Sequence, residues 1–197
     1  LPPGDFRNNI AALARNENLM TQLFQYRFGE GGLEGHSFGN LFITALSSVT
    51  GSFEQALIES SRVLAIRGQV LPSTLEDVTL MADLRDEPSS QTRRVEGESA
   101  IPEIEGAIER VFLEPENAPA YPDAVKAILA ADIVVIGPGS LFTSILPNLL
   151  VPGIVEAIRR TRALRVYVCN VATQSGETSG FSVIDHVRAI ERQVGPG

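Results

Sequence analysis

Two polar loops hold most of the residues from which binding chemistry could be built. In the first, Gly137-Pro138-Gly139-Ser140 follows an apolar run and leads into Leu141-Phe142-Thr143-Ser144. Gly137 and Gly139 would let a phosphate or ribose approach the backbone closely. A helix starting there would add free N–H groups and partial positive charge, and Ser140, Thr143 and Ser144 add hydroxyls. The alternative is a tight strand-to-helix turn with serine as the cap. No Gly-Lys-Ser/Thr follows, so this is not a P-loop, and the third glycine of the dinucleotide fingerprint is missing. In the second loop, the side chains of Asn170, Thr173, Gln174, Glu177 and Thr178 are of the types that read a base, ribose or sugar. A solvated loop is the alternative there.

Two further clusters lie near the start of the chain. His36, in Gly35-His36-Ser37-Phe38-Gly39-Asn40, precedes a helical stretch. It is a candidate acid/base or phosphate contact, with a capping or packing histidine as the alternative. Asp5, Arg7 and Asn8 form a compact polar set that reads either as ligand contacts or as simple N-capping by Asp5. His186 beside Asp185 reads as a structural pair. Two histidines and one cysteine leave no structural zinc site. A magnesium held by Asp5 and phosphate oxygens stays open.

These loops need strands and helices to hold them. Ile133-Val134-Val135-Ile136 is an uninterrupted β-branched run, expected as a strand buried on both faces in a parallel sheet. Leu164 to Cys169 reads as the next strand, with helices from Pro122 and Pro152 as crossovers. In open sheets of this kind the ligand crevice lies outside the carboxyl ends of the strands, where the two polar loops begin. Earlier in the chain, Asn40 to Val49 reads as a largely buried helix, and Ser52 with Gln55 as a capping box for the next one. Val78, Leu80, Ala82 and Leu84 alternate with polar neighbours and Met81, which predicts a strand covered on one face. Asp86 to Gln91 is a polar turn. Arg93 to Glu98 and Ala107 to Leu113 could return antiparallel. The expected fold class is α/β: a Rossmann-like, mostly parallel sheet flanked by helices, with a small antiparallel flap at about 68–113, in one domain over 1–197.

Composition narrows the partners. The chain has 197 residues, is 44% hydrophobic and 20% charged, and carries a net charge of −8. That suits an ordinary globular core. It disfavours nucleic acid and anionic lipid, both of which need clustered cations. No apolar run approaches the roughly 20 residues of a membrane span. Cys169 is the single cysteine, so no internal disulfide forms. This fits a reducing compartment and a cytoplasmic location.

Several motifs occur together in one order: Pro2-Pro3-Gly4-Asp5-Phe6-Arg7-Asn8, Phe24-Gln25-Tyr26-Arg27-Phe28, Gly35 to Asn40, Arg67-Gly68-Gln69-Val70-Leu71-Pro72, Gly97-Glu98-Ser99, Phe112-Leu113-Glu114-Pro115, Gly137 to Ser144, and Val168 to Gln174 with Gly176-Glu177-Thr178. On these the chain resembles the YvcK (gluconeogenesis factor, UPF0052) group over essentially its whole length. It is more distantly similar to the CofD phospho-lactate transferases, whose loop typically reads Gly-Pro-Gly-Asn where this chain has Ser140.

The resemblance implies a Rossmann-like protein that binds nucleotide sugars such as UDP-N-acetylglucosamine. It links the group to growth on gluconeogenic carbon, cell shape and peptidoglycan synthesis, with no settled catalytic activity. Carried over by motif, the ligand residues are Asp5, Arg7, Asn8, His36, Asn40, Gly137, Gly139, Ser140, Thr143, Ser144, Asn170, Thr173, Gln174, Glu177 and Thr178. The resemblance also implies a homodimer, and a fragment lacking an upstream glycine-rich segment and a C-terminal region. Two other readings stay open. One is a CofD-like, magnesium-dependent transferase, with Asp5 and His36 as its catalytic candidates. The other is an NAD-type dinucleotide-binding protein.

Overall fold

The computed structural model describes residues 7, 9–11, 19–64, 68–86 and 91–195. Asp5 and Asn8 lie outside them. The chain divides into two compact units, Leu1–Leu71 and Pro72–Gly197.

The first unit is helical. Helices run over Leu19–Gln25, Phe38–Thr50 and Phe53–Val63. The second of these starts earlier than expected, because the Ser37 side chain accepts from the Asn40 N–H and acts as the N-cap. Ser52 caps the third by accepting from the Gln55 N–H. Ile10, Phe24, Ile43, Ala56, Leu57 and Leu64 form the core, and each such fully buried Leu or Phe stabilises by about 1.5–3 kcal/mol. The Phe24 and Phe42 rings meet edge-on at 5.5 Å. Gly39 is needed here for space: a Cβ would stand 2.5 Å from the Phe24 carbonyl and 2.7 Å from Arg7 Cγ. The expectation of a largely buried helix at Asn40 to Val49 is corrected. Only Gly39 and Ile43 of Phe38–Thr50 are buried, and Val49 is fully on the surface. The hydroxyls of Thr44, Ser48 and Thr50 turn back to the carbonyls four residues earlier, so that face suits water.

The second unit is mixed α/β. Strands β1 (Thr79–Arg85), β2 (Thr92–Glu96) and β3 (Ala107–Glu114) make an antiparallel sheet ordered β2-β1-β3. The Asp86 N–H donates to the Gln91 carbonyl and closes the first turn. Strands β4 (Ile133–Ile136) and β5 (Leu164–Tyr167) pair in parallel, Ile133 opposite Leu164 and Ile136 opposite Tyr167. Between them lie a wide turn at Leu141–Ile145, which continues as a helix over Leu146–Leu149, and the helix Pro152–Arg160. Helix Pro122–Ala130 precedes β4, and Val183–Val194 closes the unit.

Three expectations are corrected in this unit. Among the described residues parallel pairing is confined to β4 and β5, so the stretch read as a small extension is the larger sheet. A hairpin joins β1 to β2, and the connection from β2 passes β1 to reach β3 on its other side. Met81, expected on the open face of β1, is buried. It lies opposite Phe112, and the Arg94 and Arg110 guanidiniums sit 4.8 and 5.0 Å from the Phe112 ring. Conversely, Ile133 and Val135 are each 57% exposed, so β4 is not buried on both faces. Among the described residues no layer covers that side of the two-stranded sheet. No single helix among the described residues is long and apolar enough to cross a membrane.

Candidate functional site

Parallel pairing of β4 with β5 sets their C-terminal ends side by side, so the two polar loops emerge together. The Val168 N–H donates to the Ile136 carbonyl at 2.9 Å just before the loops diverge. Gly137 has φ +85°, and a Cβ there would stand 2.7 Å from the Val168 carbonyl. Both facts demand glycine.

Side chains from the second loop then fasten the first. The Gly139 N–H donates to Asn170 Oδ1 at 3.2 Å, and Asn170 Nδ2 donates to the Gly139 carbonyl at 2.9 Å. This two-point pairing resembles one rung of a β-ladder, with a side-chain amide in place of a peptide. Asn170 Nδ2 also reaches Gln174 Oε1 at 3.2 Å, and Gln174 Nε2 donates to Ser140 Oγ at 2.8 Å. Glu177 is buried. Its carboxylate accepts from the Phe142 N–H at 3.0 Å and the Thr143 hydroxyl at 2.7 Å. Thr178 is buried as well, and its hydroxyl accepts from the Gln174 N–H at 2.9 Å.

The structure therefore brings Gly139, Ser140, Thr143, Asn170, Gln174, Glu177 and Thr178 together through hydrogen bonds, with Gly137 against the Val168 carbonyl beside them. Asn170, Glu177 and Thr178 turn inward and hold the loops in shape. Glu177 also occupies the Phe142 N–H, one of the donors that a bound anion would otherwise use. Ser140 is only partly buried, and Thr173 is exposed. Ser144 donates its N–H to the Ser140 carbonyl at 3.0 Å, inside the wide turn.

His36, Asn40 and Arg7 belong to the first unit. His36 is exposed. Asn40 Oδ1 is buried with no hydrogen-bond partner among the described residues. Arg7 packs its stem beside Gly39. Gly35-His36-Ser37-Phe38-Gly39 has the spacing Gly-x-Ser-x-Gly of a hydrolase nucleophile elbow. Ser37 is 1% exposed and spends its oxygen on the Asn40 N–H, so it is a helix cap and no nucleophile.

The reading of His186 and Asp185 as a pair is corrected. Asp185 forms a capping box with Ser182, whose hydroxyl and N–H hold its carboxyl below the usual range. His186 Nδ1 lies 2.9 Å from the Ser182 carbonyl and therefore carries the proton. At the foot of the site, burial and then the neighbouring Cys169 push the Tyr167 phenol up to about 12. Among the described residues no group of three or more His, Cys, Asp or Glu side chains converges as a metal site.

A parallel strand pair with its exit loops laced together by amides defines a mixed α/β protein with a polar strand-end site. The chain belongs to the CofD family: the family model for 2-phospho-L-lactate transferase CofD matches residues 1–197. A protein of Nostoc sp. PCC 7120, provisionally assigned as a gluconeogenesis factor, is 58% identical over 196 residues, covering 99% of this chain and 42% of that protein. The gluconeogenesis factor of Bacillus subtilis is 49% identical, covering 100% and 61%. A crystal structure of a UPF0052-family protein from Bacillus halodurans superposes with a TM-score of 0.91 at 48% identity, covering all of this chain and 62% of that one. The chain thus spans less than two thirds of the length of these relatives.

Proposed function

We propose that this chain is the ligand-binding part of a gluconeogenesis factor: a Rossmann-like, cytoplasmic regulator that binds a nucleotide sugar of the UDP-N-acetylglucosamine type without turning it over. The observation that carries the reading is the pair of strand-end loops joined through Asn170 and Gln174. It presents Gly139 and Ser140 at the place where open α/β sheets take their ligands. The names of the relatives supply the link to gluconeogenic growth. The roles in cell shape and peptidoglycan synthesis rest on the family resemblance, as does a homodimeric state.

A second reading is favoured by the family model itself, which is named for a transferase. In it the same loops would hold a nucleotidylated donor with magnesium. Calorimetric titration of the chain with UDP-N-acetylglucosamine, GDP and NAD, with and without magnesium, separates the readings. Metal-independent binding of the UDP-sugar with no product formed supports the regulator. Magnesium-dependent binding of GDP, or consumption of a nucleotidylated donor, moves the chain to the transferase reading. Binding of NAD alone sinks both.

A further inference from the structure

The backbone of Gly139 dictates the direction of the hydrogen bonds that run from it through Asn170 and Gln174 to Ser140. Its N–H can only donate and its carbonyl can only accept. Asn170 must therefore present Oδ1 to the first, at 3.2 Å, and Nδ2 to the second, at 2.9 Å. The same Nδ2 lies 3.2 Å from the Gln174 side chain, so the Gln174 atom there must be the acceptor Oε1. The other end of that amide is Nε2, a donor, 2.8 Å from Ser140 Oγ. Ser140 must accept this bond. Its own hydroxyl proton then has no acceptor among the described residues. Neither amide can flip without setting donor against donor or acceptor against acceptor, so the usual ambiguity of side-chain amides does not arise here.

We propose that Asn170 and Gln174 are positioning residues that hold Ser140 Oγ through one of its lone pairs and leave its hydroxyl proton for the ligand. The ligand atom that takes this proton is an acceptor oxygen, such as a non-bridging oxygen of a phosphoryl group. This rests on the reading that the strand-end loops bind a phosphorylated ligand, and it names the atom that meets that ligand. It also divides the labour within the loops. Asn170 and Gln174 act through Ser140, and Ser140 touches the ligand.

The test is a double-mutant cycle on the 197-residue chain with Ser140→Ala and Gln174→Leu, both of which leave the charge unchanged. Inorganic diphosphate and UDP-N-acetylglucosamine are the two probes, read by calorimetry. Ser140→Ala should weaken both probes about tenfold, the worth of one hydrogen bond to a charged group. Gln174→Leu should weaken them by a smaller factor, and the double variant should match Ser140→Ala. If the two losses multiply, Gln174 contacts the ligand itself and the positioning role is overturned. If Ser140→Ala binds both probes as the parent does, the donor role is overturned while the nucleotide-sugar reading stands. If the parent binds diphosphate but not the UDP-sugar, the nucleotide-sugar reading falls and the donor role is judged on diphosphate alone. If the parent binds neither probe, both fall. A ligand-free check is the ¹⁵N resonance of the Gln174 side-chain amide, which Ser140→Ala should shift. An unmoved resonance overturns the network.

Discussion

Glu177 and Thr143 meet across the two strand-end loops: the carboxylate takes the threonine hydroxyl at 2.7 Å with one oxygen and the Phe142 N–H at 3.0 Å with the other. All three residues are buried, so the start of the Leu141–Leu149 segment is tied down by a charge inside the protein. Glu177→Ala strands the Phe142 N–H and should destabilise the chain by about 2–3 kcal/mol. Glu177→Gln should cost less, roughly 1 kcal/mol, because the Thr143 hydroxyl can reverse and accept from the new amide. Urea unfolding of the two variants checks the order. A glutamine variant as unstable as the alanine one would mean that the charge, and not the geometry, holds the turn.

Gly137→Ala tests the loop from the backbone side. At φ +85° with the Val168 carbonyl 2.7 Å from the new methyl carbon, alanine suffers both a conformational penalty and a collision with backbone that cannot swing away. The expected loss is about 1–3 kcal/mol in unfolding free energy, accompanied by weaker ligand binding. Alanine at Gly29, whose Cβ would meet nothing within 4 Å, serves as the control.

Tyr167 sets an alkaline limit. Its phenol is pushed up to about 12, first by burial and then by Cys169, whereas an unfolded tyrosine ionises near ~10. The fold therefore favours the neutral phenol. That contribution is fully present below the unfolded value and is lost as pH rises from about 10 towards 12. Ultraviolet titration of tyrosinate should show one late-ionising tyrosine that disappears in Tyr167→Phe. A titration unchanged by that substitution would refute the assignment.

The acid side should show the opposite sign at Asp185. The Ser182 hydroxyl and N–H hold its carboxyl below the ordinary range. Its contribution is present above the unfolded value of ~3.9 and is lost as pH falls through the lower folded value. Ser182→Ala removes the hydroxyl whose hydrogen bond lowers Asp185 most, so the Asp185 titration followed by NMR should move to higher pH. The lost helix cap should also cost about 1 kcal/mol at neutral pH.

Much of the frame was legible in the sequence, and for local reasons. Ser52 three residues before Gln55, Pro122 and Pro152 at helix starts, and the polar turn after Arg85 each act over a few residues. The apolar run Ile133–Ile136 placed a strand, and the glycines after it placed the first loop of the site. Burial was less legible. Whether Ile133, Val135 or Met81 is covered depends on what lies above and beside the strand, and a hydrophobic pattern does not state that.

The sequence by itself determined which residues stand in the two loops, that the loops leave neighbouring parallel strands, and the family to which the chain belongs. Only the tertiary structure decided what those residues do. Asn170, Glu177 and Thr178 have the side chains of ligand contacts, yet each spends its polar atoms within the protein. The partners of Asn170 and Glu177 stand 31 and 34 positions away along the chain. A side chain's direction follows the donors and acceptors that face it in space, and these meet only once β4 and β5 have paired.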